Sequence, residues 1–550
     1  TNDVHGSLFG FFENQSLVGD NPNGTHAPRF DTYQYGGSLG GPIVRDRVHY
    51  FVAAELRHRA TPFGGPEIAP GSSVGIPVDS ANRFASLLRQ YGIDAGSYGP
   101  FSTIADAANV FGKLSVATAA SGLLDLSVTY AHGATTDSIA PARAANGDYR
   151  LTSAGFSPNA TTWSTRARWT TLLGRRFSNE ALVGVSSTDE PRTAASGAPA
   201  VFVSNVGNAG TRLIAGADPS SQRLGLHQRW TELTDNLTAA FGAHTVTVGA
   251  QAELLHFSFS NFSSAIGQYQ FLNLDSLAAG RPSRFIRNVA LDPDAATADF
   301  GVGIGGLYAQ DAWRVTDALR ATVGLRLDLM HFPDQPHANP TLLASPLAVN
   351  TAQFIGTSVL ASPRLALDWT VRDGTHVRGG VGLFTGRDPF SWLAFAYSNT
   401  GTGAQLLNCS GADAPDFDPD PRSQPTSCGG SAASAASVSY FVPSFKMPQS
   451  LKTSLGADQR LPWGMVASLD LSYVHGLNSL YITDANLTGP VGRLSGEGGR
   501  VLYGAIAATS TKGAVPSVTP SVVSTSFGPV LRNANHSGDR TYLATAQVQK

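Results

Sequence analysis

Gly36-Gly37-Ser38-Leu39-Gly40 fits the nucleophile elbow of a serine hydrolase. That chemistry needs a strained strand-to-helix turn and His and acidic partners. Here Pro42 and a further strand pattern follow, so the glycines are expected to permit a tight turn, and no nucleophile is assigned. Gly301-Val302-Gly303-Ile304-Gly305-Gly306 satisfies the dinucleotide fingerprint literally. A phosphate cradle requires a helix after the glycines, whereas these lead into a strand carrying Tyr308 and Trp313. Asp416, Asp418 and Asp420 are spaced as in a calcium loop. They lack the glycine and distal glutamate of an EF-hand, and a hard cation wants about six to eight oxygens. They are weak calcium candidates, and a solvated acidic loop is the favoured reading. His331 and His337 lie in a Pro-rich loop and read as surface residues. Cys409 and Cys428 share one stretch rich in Asp, Pro, Gly and Ser, which suggests a disulfide in an oxidising compartment; two surface thiols are the alternative. No catalytic, cofactor-binding or firm metal-binding residue is assigned, so an enzyme is not expected.

The elements that would hold these residues are set by an unusual composition. Charged residues are only 14% of the 550, glycine supplies 59, and hydrophobic residues stand at 42%. Low charge with ordinary apolarity excludes a disordered chain and a coiled coil. The net charge of −2 and the five lysines among 38 basic residues show no nucleic-acid footprint. No window approaches the ~18 uninterrupted apolar residues of a membrane-spanning helix. That leaves a membrane open, because a spanning strand needs only one apolar face.

Periodicity is the strongest signal. Leu319, Ala321, Val323, Leu325, Leu327 and Leu329 share one face, and Arg320, Thr322, Gly324, Arg326 and Asp328 the other. Strict alternation over that length suits a tilted strand crossing a hydrocarbon core. Asp125–Tyr130, Thr245–Glu253 and Ala467–Tyr473 alternate in the same way. Such strands come in pairs: 109–119 with 123–133, 161–172 with 179–188, 228–241 with 244–259, 305–315 with 319–330, 362–371 with 376–385, and 450–460 with 465–476. Their turns are short and carry turn chemistry, among them Ser121-Gly122, Gly242-Ala243-His244, Asp373-Gly374-Thr375 and Pro462-Trp463-Gly464. The connections between pairs are long and rich in Gly, Pro, Asn, Asp and Ser. Short periplasmic turns alternating with long outer loops are the rhythm of an outer-membrane barrel. A propeller or sandwich would show shorter, more evenly spaced strands.

The opening segment makes the resemblance specific. Val4-His5-Gly6-Ser7-Leu8-Phe9-Gly10-Phe11-Phe12 precedes Tyr33-Gln34-Tyr35-Gly36-Gly37-Ser38-Leu39-Gly40-Gly41-Pro42, then Asp46-Arg47-Val48-His49-Tyr50-Phe51 through Glu55. Gly267-Gln268-Tyr269-Gln270-Phe271, Leu307-Tyr308-Ala309-Gln310-Asp311-Ala312-Trp313-Arg314, Ser362-Pro363-Arg364-Leu365, Arg378–Phe384 and Leu471–Gly476 follow in order. This series resembles the barrel of Oar-like TonB-dependent receptors along essentially the whole chain. The resemblance implies an all-β transmembrane antiparallel barrel with about sixteen of 22 strands present. Three are expected in 4–57, twelve in the six hairpins, and one from Asp539 to Lys550. Residues 1–550 are then expected to be a partial barrel domain, truncated at both ends, without the family's plug and N-terminal regulatory-like domain.

The implied function is an outer-membrane receptor or transporter, in a Gram-negative-type bacterium, that admits a solute through a plug-gated lumen. The alternative is a surface adhesion protein using the same barrel and loops. The implied partners are outer-membrane lipid and lipopolysaccharide, the TonB complex acting through the N-terminal region, and a glycan, peptide or chelate as solute. Arg320, Arg326 and Asp328 are expected to line the lumen. Trp163, Trp230, Trp313, Trp369 and Tyr473 are expected to form an aromatic girdle at the headgroups.

Overall fold

The computed structural model describes residues 2–20, 24, 26, 29–63, 65–118, 122–136, 138–139, 142–430, 434–506 and 518–550. Sixteen strands hydrogen-bond in sequence order as one sheet. They are β1 (His5–Asn14), β2 (Asp31–Val44), β3 (Val48–Pro62), β4 (Ser102–Thr118), β5 (Gly122–Thr136), β6 (Phe156–Leu173), β7 (Phe177–Ala194) and β8 (Leu224–Phe241). The series continues with β9 (His244–Asn261), β10 (Ala298–Arg314), β11 (Leu319–His331), β12 (Ser358–Arg372) and β13 (Thr375–Thr385), then β14 (Gln449–Arg460), β15 (Val466–Gly476) and β16 (Arg540–Gln549). The three opening strands, the six hairpins and the last strand expected from the alternation are all present. In the first hairpin turn, Ser121 lies outside the described residues.

The alternation has the sense a bilayer requires. Val323, Leu325, Leu327 and Leu329 of β11 are 39–55% exposed, while Arg326 and Asp328 on the other face are half-buried. A soluble sheet would hide those leucines; a sheet wetted by lipid presents them. Leu126 and Val128 of β5, Leu365 and Leu367 of β12, and Leu469 and Leu471 of β15 are exposed in the same manner.

The strands outrun the expected ones. Those from β6 to β9 are 18 residues each, longer than the roughly 9–11 residues a tilted strand needs to cross hydrocarbon. Beyond the bilayer both faces meet water or protein, so the period-two apolar signal stops while the hydrogen-bonded ladder continues.

The chain forms two compact units, Thr1–Phe241 with Thr247–Ala290 and Leu406–Ala433, and Gly242–Val246 with Leu291–Gln405 and Ser434–Lys550. In the first unit the long connections, rich in Gly, Pro, Asn, Asp and Ser, are folded. Helix α1 (Val78–Gln90) buries Ala81, Phe84, Leu87 and Leu88. Short strands add a mixed sheet, in which Ala200–Ser204 runs parallel to Gln268–Phe271 and Arg212–Ala215 parallel to Asp148–Arg150. Helix α2 (Leu274–Ala278) starts on a reciprocal capping box between Asn273 and Ser276. Tyr149, Leu151, Val201, Val203, Leu213, Tyr269, Phe271, Phe285 and Leu407 form the core of this head.

In the second unit, Phe527–His536 pairs parallel with Ala436–Phe441 and antiparallel with Ser479–Asp484. Asn486, fully buried, donates to the carbonyls of Ser524, Phe527 and Gly528 at 3.0, 2.9 and 2.9 Å. Helix α3 (Phe390–Ser398) docks Tyr397 flat on Phe300 of β10, with ring centroids 4.3 Å apart.

Candidate functional site

Two surfaces can meet a solute: the folded head and the polar face of the strands. In the head, Cys409 lies in the short strand Ala404–Ser410 and forms a disulfide with Cys428, Cα atoms 5.4 Å apart. The loop between them is anchored from inside. Phe417 is buried and meets Tyr91, Tyr269 and Phe271 edge-on, with centroids at 4.8, 4.9 and 5.5 Å. Arg287 donates to the carbonyls of Pro421 (2.9 Å), Gln424 (2.8 Å) and Pro425 (3.4 Å). Arg284 donates to the Asn408 side chain at 2.7 Å. Burial pushes the Tyr269 phenol well above its ordinary range.

Two of the three aspartates of this loop, Asp418 and Asp420, serve local structure. Asp420 receives two bonds from the Arg422 guanidinium, at 3.0 and 2.9 Å. That partner and the Arg422 backbone N–H hold its carboxyl at about 2. The Asp418 carboxylate caps the Asp420 N–H at 2.9 Å, and the Asp418 carbonyl accepts from Gln424 at 3.2 Å. Asp416 is exposed beside the buried Phe417. Among the described residues no three His, Cys, Asp or Glu side chains are grouped to hold a metal. The loop is therefore not simply solvated: Phe417 is the anchor, and a lone Phe among aspartates was its only trace in the sequence.

The glycine-rich segments also find their use. Gly36 to Gly41 lie inside β2 rather than in a turn, which corrects the expectation from their composition. A Cβ at Gly36 would stand 2.7 Å from the Phe9 ring, and one at Gly37 would stand 2.6 Å from Leu8 Cδ2. The glycines make room for bulky β1 side chains. The turn falls at Arg45–Arg47, with Asp46 left-handed at φ 64°. Ser38 Oγ faces Ser7 Oγ at 2.9 Å. Gly301–Gly306 lie within β10, and a Cβ at Gly306 would meet the Arg326 guanidinium at 2.4 Å. His331 Nδ1 lies 2.8 Å from the Thr357 hydroxyl, and the His337 carbonyl accepts from Thr351 at 2.8 Å.

On the polar face, Arg326 Nε donates to Asp328 Oδ1 at 2.6 Å, and the guanidinium lies 5.3 Å from the Tyr308 ring centroid. Arg320 shares that face, nearer the short turn. A residue the sequence reading passed over is Asp125. It is only 6% exposed, and it accepts from Ser115 at 2.6 Å and Arg168 at 2.9 Å, with Lys113 Nζ at 3.2 Å. A buried carboxylate needs such partners. Its signal was a charge on the polar face of an alternating strand. Of the aromatic residues, Trp163, Trp313 and Trp369 are 40–46% exposed on the apolar face, and Tyr473 packs on Tyr542 with centroids 5.0 Å apart. Trp230 departs from the girdle: it shares the face of Glu232 and lines a 240 Å³ cavity with Arg166 and Glu253. One residue of phase in a strand decides the side, and position near a strand end does not report it.

The family model for the outer membrane beta barrel domain matches residues 1–63 and 116–544. No curated protein matches the sequence. Among solved structures, the outer membrane transporter YddB from Escherichia coli is 12% identical at TM-score 0.55, covering 88% of this chain and 53% of that one. A mutant of the ferric enterobactin receptor PfeA from Pseudomonas aeruginosa is 11% identical at TM-score 0.51, covering 100% and 60%. The siderophore receptor PirA from Acinetobacter baumannii is 13% identical at TM-score 0.50, again covering 100% and 60%. At such identities the likeness concerns the fold, and the chain spans 53–60% of the length of these proteins.

Proposed function

The chain belongs to the outer membrane beta barrel domain family, and from that premise we propose that it is the barrel portion of a TonB-dependent receptor of the Oar-like type. It resides in the outer membrane, with its short turns periplasmic and its long connections outside. In this reading residues 1–550 form part of a larger barrel, completed by further strands and gated by a plug. The full protein captures a solute on the folded head and passes it along the polar face, with energy from the TonB complex reached through its N-terminal region. The observation that carries the reading is the head itself. Its disulfide-tethered loop, buried Phe417 and own core make a built surface out of the long connections between strands that each carry one polar face. Three solved neighbours are titled transporter or siderophore receptor, which supports import; the solute class extends to glycans, peptides and metal chelates. On the outward face the exposed tryptophans sit against lipid, with lipopolysaccharide in the outer leaflet. A built, rigid head also suits adhesion, the second reading.

One experiment separates the two. Cells expressing the full-length protein are offered labelled glycans, peptides and metal chelates with and without a functional TonB complex. TonB-dependent accumulation of one class supports import. Surface binding with no TonB-dependent accumulation would leave adhesion.

A further inference from the structure

The polar face of β10 to β15 carries positive charge that its carboxylates do not neutralise, and it is gathered around one recess. The row nearest the short turns runs through direct cross-strand partners: Arg314, Arg320, Asp368, Arg378, Gly456 and Asp470. Arg378 is neutralised by Asp458 and, at 2.7 Å, by Asp470. Gly456 lets it cross, since a Cβ there would stand 2.6 Å from Asp470 Oδ1. The Asp368 carboxylate faces His376 at 3.0 Å. Arg314 and Arg320 are left as a like-charged pair directly opposite one another, an arrangement that costs stability.

Two residues further along the strands comes a row of small side chains: Thr322, Ala366, Gly380 and Ser454. They floor a cavity of 470 Å³ bounded on the turn side by Arg320, Asp368 and Arg378. The next row is Gly324, Arg364, Gly382 and Lys452. Arg364 and Lys452 flank Gly382 and share one ring, with their cations 4.4 and 5.3 Å from the Phe384 centroid. Among the described residues, no carboxylate lies within ion-pair distance of Arg314, Arg320, Arg364 or Lys452. Arg320 lines the recess itself, together with Arg378 and the carboxylates of Asp368 and Asp470, while the row of Arg364 and Lys452 lies beyond the small side chains, four residues or roughly 13 Å of backbone from the Arg320 row at ~3.3 Å per residue.

We propose that this recess binds a small polyanion, carrying phosphate or carboxylate groups, on the lumen wall. The inference rests on the barrel reading, in which the polar face lines the lumen. Anionic groups relieve the repulsion between Arg314 and Arg320 and take charge-assisted bonds from guanidinium forks on either side. Their spacing favours a ligand long enough to touch both rows over a short one. Phe384 holds the outer pair by cation–π contact without consuming its charge.

The test uses the full-length protein in detergent, with inorganic tripolyphosphate as probe and inorganic phosphate as the short control, by calorimetry at low salt. Tripolyphosphate is expected to bind more tightly than phosphate, and to weaken with added salt. Arg364→Gln with Lys452→Gln is expected to weaken tripolyphosphate about tenfold or more, and Arg364→Lys with Lys452→Arg to retain it within about threefold. Circular dichroism confirms that each variant is folded. Equal affinity in the wild type and the folded Gln double variant, or no binding by the wild type, overturns the proposal. Loss of TonB-dependent uptake with tripolyphosphate binding intact would remove the transport reading and leave the site standing.

Discussion

Phe417→Ala is the sharpest probe of the folded head. The ring is 8% exposed and touches Tyr91, Tyr269 and Phe271. Truncating a buried Phe removes its transfer free energy and leaves a cavity, together about 3–5 kcal/mol. The loss is local, because the Phe417 N–H bond to the Gly280 carbonyl (2.9 Å) and the disulfide keep the segment tethered. The expected outcome is therefore local opening of the head with the strand ladder intact. Hydrogen exchange on the detergent-solubilised protein reads it directly. Amides of residues 411–427 and of Gln268–Phe271 should lose protection by roughly 10² to 10³-fold, taking 1.4 kcal/mol per decade, while β4 to β7 exchange as in the wild type. Unchanged protection in 411–427 would show that Phe417 does not anchor the loop. Equal loss across β4 to β7 would show that the head has no core of its own.

Four further outcomes follow from the geometry. Gly216 has φ 82° and a Cβ there would stand 2.0 Å from the Pro199 carbonyl; Gly216→Ala should destabilise the head by at least ~2 kcal/mol, seen as faster proteolysis of the outer connections than in wild type. Removing the disulfide as Cys409→Ser with Cys428→Ser should cost about 3 kcal/mol for a loop of this length, read as cleavage within 411–427 at lower protease. Val128 lies on the apolar face and Ser127 on the polar one, so Val128→Arg should cost about 2–4 kcal/mol of folding into lipid vesicles, and Ser127→Arg far less; equal costs would contradict the assigned faces. Asp388 is 8% exposed, its Oδ2 has no hydrogen-bond partner, and burial lifts its carboxyl to about 6. Its folded value lies above the ~3.9 of an unfolded chain, so the penalty is absent below ~3.9 and complete above about 6. Asp388→Asn should raise stability by about 3 kcal/mol at pH 8 and leave it unchanged at pH 3.5, measured as the shift in Tm at each pH.

The sixteen strands were legible because lipid imposes a one-sided rule on each of them. Leu325 and Arg326 declare opposite faces without reference to any other residue, and the short turns, with left-handed Gly242 and Gly374, join neighbours in sequence order. The register of a hairpin is then nearly forced. The same local logic failed where one residue of phase or one distant neighbour decides the outcome. Trp230 sits near a strand end like its fellow tryptophans yet faces the polar side, and the glycines of 36–41 read as a turn although Phe9 and Leu8 occupy the space they leave.

By itself, then, the sequence determined a membrane-spanning antiparallel sheet, its strand count, its polar and apolar faces, and a plausible cysteine pair. Tertiary structure decided what the long connections do. Their strands pair in parallel across large separations, Ala200–Ser204 with Gln268–Phe271 among them, and such pairings leave no periodic mark in either segment. Phe417 and Arg287 become anchors only when residues more than a hundred positions apart in the chain meet. The free cations around the small-residue recess likewise emerge from register alone. Each is an ordinary residue in its own strand, and the physical effect arises because hydrogen-bonded neighbours set Arg314 beside Arg320, and Arg364 and Lys452 on either side of one glycine.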